Sequence, residues 1–150
     1  MKTAHRIVFA VLVLNFWIPT LFYIFAPHGA IAQFVAVGAP FGAPPYPHTE
    51  DSVFWRVLGI ANVATLGFCC FLLMWNAKRW FDVLVPLAFL KGMSALGWFV
   101  AWFAEPMPQD LIAGLFDALT VATMVFFGIA GRRALERAED PDLPAAQPAK

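Results

Sequence analysis

Four long apolar runs alternate with short polar or proline-rich stretches along this chain. Residues 7–26 follow a basic start (Lys2, His5, Arg6) and carry no charge. Residues 53–75 carry only Arg56, in their first turn. Residues 81–104 hold Lys91 close to their middle, and residues 110–130 hold Asp117. At ~1.5 Å rise per residue each run is long enough to cross a hydrocarbon core of ~30 Å. The pattern predicts an all-α fold: an integral membrane four-helix bundle with antiparallel neighbours. The link Asn76-Ala77-Lys78-Arg79 is short, so the second and third spans should lie side by side and antiparallel.

Between the first two runs, residues 27–52 form a loop rich in proline and glycine. Its apolar patch, 31–37, is too short to span and is expected at the interface or over the end of the bundle. Thr49 or Ser52 can cap the second span, with Glu50 and Asp51 suited to its positive end. Asp110 can cap the fourth span, and Gly131 permits its termination. Residues 132–150 start charged and end rich in Pro and Ala, which predicts a short helical extension and then a disordered tail. Residues 1–131 are read as the transmembrane domain. The first run has a competing reading as a cleaved signal peptide, with Ala30-Ile31-Ala32 as the cleavage site. Its length and its aromatic residues favour a retained span.

Composition sharpens the class. The chain is 61% hydrophobic and 13% charged, with a mean hydropathy of +0.69. Soluble domains carry roughly 25% charged residues. A net charge of zero gives no reason to expect a nucleic-acid partner. The basic residues cluster at the start, in the 76–80 link and after the fourth run (Arg132, Arg133, Arg137), while the other two connections hold none. By the positive-inside rule both termini are cytoplasmic and the 27–52 loop faces out, as in a bacterial inner membrane.

Candidate chemistry lies in the polar residues inside the runs: Asn15, Arg56, Asn62, Lys91 and Asp117. Charges at such depth are costly unless they face protein or trapped water. Counted from the outer ends by helical rise, Arg56 is ~5 Å deep, Asp117 ~9 Å, Asn62 ~13 Å, Asn15 ~16 Å and Lys91 ~19 Å. Arg56 and Asp117 are thus expected to pair. Lys91, whose stem leans away from Asp117, is expected deeper, sheltered by Asn15, Asn62 or water. Asp117, Thr120, Met124 and Gly128 share one stripe of the fourth span, and Asn62, Thr65 and Cys69 one stripe of the second. On the third, Ala88/Gly92 and Gly97/Ala101 offer small faces for close helix contact. His5 is expected to be an ordinary terminal residue. Adjacent Cys69 and Cys70 read as small core residues. His28 and His48, with Glu50 and Asp51, match no compact metal motif. No phosphate loop, nucleophile elbow or paired-acid site is visible, and no enzyme activity or cofactor is assigned.

Arg56-Val57-Leu58-Gly59 at the opening of a span, followed by a run to Gly67, resembles DoxX-like small four-helix membrane proteins. The resemblance implies a four-span bundle and lends no activity. The leading expectation is a structural or accessory membrane protein acting through intramembrane helix contacts. Its partners would be the lipid bilayer, and a second copy or the subunits of a membrane complex. The alternatives are a small-solute or ion carrier with its site near Lys91 and Asp117, or an accessory factor in redox or quinone-linked membrane chemistry.

Overall fold

The computed structural model describes residues 2–43 and 53–139. They form five α-helices: α1 (Lys2–Phe25), α2 (Pro27–Gly38), α3 (Val53–Asn76), α4 (Leu84–Ala104) and α5 (Pro108–Glu139). Short 3₁₀ turns follow α2 and precede α4, and no strand occurs among the described residues. Four of the helices, all but α2, are long and apolar enough to cross a membrane. The capping residues expected at 49–52, the outer-loop His48 and the tail beyond Glu139 lie outside the described residues.

Prolines mark several of the boundaries. Pro27 and Pro108 open α2 and α5, where a missing N–H is harmless. Pro106 forces Glu105 into an extended conformation (φ −141°, ψ 101°), and that stops α4. Gly42, with a positive φ of 68°, closes the turn after α2 in a conformation that side chains resist.

The long helices associate in two close pairs. In the first, the start of α1 meets the end of α3: His5 reaches the Leu73 carbonyl, and further along Trp17 lies over Gly67. In the second, Leu84 of α4 packs on Gly128 of α5, and Phe99 packs on Gly114. Both pairs therefore run antiparallel. α1 and α5 join the pairs, whereas α3 and α4 touch far less. The shared core is drawn from Phe9 and Phe16 of α1, Cys70 and Leu73 of α3, Leu87 of α4 and Met124 of α5. α2 lies over the far end, with Phe34 against Trp98 (ring centroids 5.2 Å) and Gly38 against Gln109. The segment 27–52, expected as a loop with its 31–37 patch at the interface or over the bundle end, is thus helical over Pro27–Gly38.

Two expectations about glycine change. Gly131 does not end α5, which continues to Glu139. It makes room instead for the His5 ring, which a Cβ there would overlap. Gly92 and Gly97 of α4 make no close contact among the described residues either. A Cβ on Gly92 or Gly97 would meet nothing within 4 Å. Close approach occurs instead at Gly67 of α3 and at Gly114, Gly128 and Gly131 of α5, each of which receives a large side chain.

Candidate functional site

α5 carries a continuous buried stripe. Gly114, Asp117, Thr120, Met124 and Gly128 all face inward, as their spacing predicts. Opposite Asp117, α4 presents Lys91 and Ser94, which are three residues apart and so share a face. The Lys91 ammonium donates to Asp117 Oδ1, and the Ser94 hydroxyl donates to Oδ2 at 2.6 Å. Both carboxylate oxygens are engaged by one helix. The ammonium also lies 5.5 Å from the centre of the Phe16 ring of α1, a cation–π contact that adds a third element. Side-chain exposure is 14% for Lys91 and 6% for Asp117, so the pair is nearly sealed.

This corrects the assignment by depth, which gave Asp117 to Arg56. The physical reason lies in the helix start. Counted from Pro108, where α5 begins, Asp117 is ~13.5 Å deep rather than ~9 Å. The flexible lysine stem spans the remainder, because an ammonium left bare in hydrocarbon costs more than an unfavoured lean. Arg56 is half-buried near the start of α3, and Asn15 is half-buried beside Phe16.

Asn62 departs furthest from expectation. Residues 59, 62, 66, 70 and 73 follow the spacing of one helix face. Leu66, Cys70 and Leu73 on that face are buried in the core. Further out, a Cβ on Gly59 would meet nothing within 4 Å among the described residues, and Asn62 is exposed. Asn62 has no hydrogen-bond partner among the described residues. Thr65, also exposed, turns its hydroxyl to the Ala61 carbonyl of its own helix (2.7 Å).

No family model matches the chain, and no curated protein or solved structure matches it either. The site is therefore read from its own geometry.

Two polar residues escaped the sequence reading. His5 is 3% exposed, with Nδ1 2.8 Å from the Phe127 carbonyl and Nε2 3.0 Å from the Leu73 carbonyl. Leu73 lies near the end of α3, so the ring is wedged between carbonyls of α3 and α5, and its N–H serves one or the other according to the tautomer. Gln109 is 1% exposed, and neither of its amide atoms has a hydrogen-bond partner. Nothing in the sequence links His5 to Gly131; their contact belongs to the tertiary structure. Nothing local marks Gln109.

Between the Lys91–Asp117 pair and His5 the interior is mostly apolar. Phe9, Leu12, Leu87 and Met124 fill it, none more than 7% exposed. The buried Thr120 hydroxyl there turns to the Phe116 carbonyl of its own helix. Among the described residues no cluster of three His, Cys, Asp or Glu side chains could hold a metal ion. Cys70 is fully buried within the core.

Proposed function

We propose that this chain is a four-helix integral membrane protein of accessory type, which works by packing against a further transmembrane helix. In this reading the termini and the 76–80 link lie on the cytoplasmic side, in keeping with their basic residues. The observation that carries the proposal is the outer part of the α3 face, where Gly59 leaves space and the Asn62 amide has no partner among the described residues. A bare amide at that depth is unfavourable, while small residues beside a polar one are what helix–helix contacts in lipid use. The ion pair then acts as internal glue between α4 and α5, and the apolar plug below it supports a fixed role over a conducting one.

The test is the mass of the full chain in mild detergent, by light scattering. Association is expected, with a second copy as the first partner to consider, and Asn62→Leu should weaken it. A lone monomer whose mass N62L leaves unchanged, and which retains a small molecule lost on Lys91→Met, would replace this reading with the carrier.

A further inference from the structure

On the outer surface of the α1–α3 pair, at the end that holds the termini, lies a groove of about 620 Å³. It is lined by Arg6, Ile7 and Ala10 of α1 and by Phe71, Met74 and Trp75 of α3. Its volume falls in the range of small-molecule sites. Its polarity is ordered along the helices. Arg6 to Ala10 covers ~6 Å of rise, and Phe71 to Trp75 covers the same distance in the opposite sense. Arg6 and Trp75 thus stand at the rim, and Ala10 and Phe71 lie deeper. The Trp17 ring, 6.4 Å from Phe71, lies beyond the deep end.

The rim is cationic. Arg6 is exposed and has no ion pair or hydrogen bond among the described residues. A small hollow next to the groove shares Arg6, Met74 and Trp75 with it and adds Lys2. Among the described residues no acidic side chain lines either one. A guanidinium at the rim suits a phosphate, which it can grip with two parallel hydrogen bonds. A tryptophan at that level suits the headgroup layer. The apolar interior below suits an acyl chain.

We infer that this groove binds one anionic phospholipid from the leaflet on the side of the termini, with its phosphate on Arg6 and an acyl chain over Ala10 and Phe71. Arg6 in the groove and Lys2 beside it favour a headgroup of net negative charge over a zwitterionic one. The inference rests on the four-span reading.

The experiment reconstitutes the full chain in nanodiscs of equimolar phosphatidylglycerol and phosphatidylcholine. The chain is then extracted in mild detergent, and the retained lipids are counted by native mass spectrometry. Retention of one phosphatidylglycerol is expected, enriched over phosphatidylcholine by about fivefold or more. Arg6→Gln should lower the enrichment by about fivefold, since each basic residue near an anionic surface contributes about that factor. Ala10→Phe fills the apolar part and should abolish retention with Arg6 intact; Ala10→Leu serves if Phe impairs folding. Added inorganic phosphate should not displace the lipid. Equal retention of the two lipids, unchanged enrichment in R6Q, unchanged retention with the groove filled, or displacement by phosphate would overturn the inference. A chain that fails to enter nanodiscs would overturn the spanning reading, and the groove with it.

Discussion

Lys91 and Asp117 would each be expensive alone at their depth, and that fixes how each responds to replacement. Lys91→Met leaves a carboxylate that is 6% exposed with only Ser94 for company. Breaking a buried pair from one side costs about 3–5 kcal/mol, while replacing both partners with apolar residues is often neutral. K91M should therefore melt well below the wild type in detergent, and Lys91→Met with Asp117→Leu should recover most of the loss. If the double variant melts as low as the single one, the two residues are not energetically coupled. The sequence made both residues visible as misplaced charges. It did not pair them correctly, because the answer turned on a start of α5 a few residues earlier and on the reach of a flexible stem.

At the scale of elements, glycine position decides how the helices approach. Gly67 accommodates Trp17 and Gly131 accommodates His5, so Gly67→Ala and Gly131→Ala force a ring to move. Each should cost about 1–3 kcal/mol, as overpacking does. Gly92→Ala and Gly97→Ala meet open space. They should leave the melting temperature unchanged or raise it slightly, through a helix-propensity gain of up to ~1 kcal/mol. Thermal melts of the four variants, run in parallel, check the division. Equal destabilisation by all four would mean that α4 uses its glycines within the chain. Small-residue spacing was legible beforehand, but which glycine receives a large neighbour depends on helix rotation. The hydrophobic pattern of a membrane helix fixes rotation poorly, because lipid-facing and core-facing positions are both apolar.

For the whole molecule, two helix pairs are held together mainly through α1 and α5. His5 is a principal tie, since it contacts both α3 and α5 from the first turns of α1. His5→Leu removes the ring that sits between the Phe127 and Leu73 carbonyls and takes away the N–H that serves one of them. A loss of about 1–3 kcal/mol is expected, with faster amide exchange confined to the last turn of α3 and the adjoining part of α5. Exchange that rises evenly over all four long helices would show that His5 does not tie the pairs locally. Reporter fusions at the two termini should both give cytoplasmic signals, as the basic residues imply. Opposite signals would mean an odd number of crossings.

The four apolar helices were written in the chain, because the length and hydrophobicity of a run suffice to set a helix long enough to cross a bilayer. So was the inward stripe of α5, because its polar and small residues recur with the helical period. Tertiary structure alone decided that Asp117 takes Lys91, that His5 is an internal tie, and that Asn62 is exposed in the first half of α3. These outcomes depend on rotation, tilt and the relative depth of neighbouring helices, and a one-dimensional pattern does not encode them.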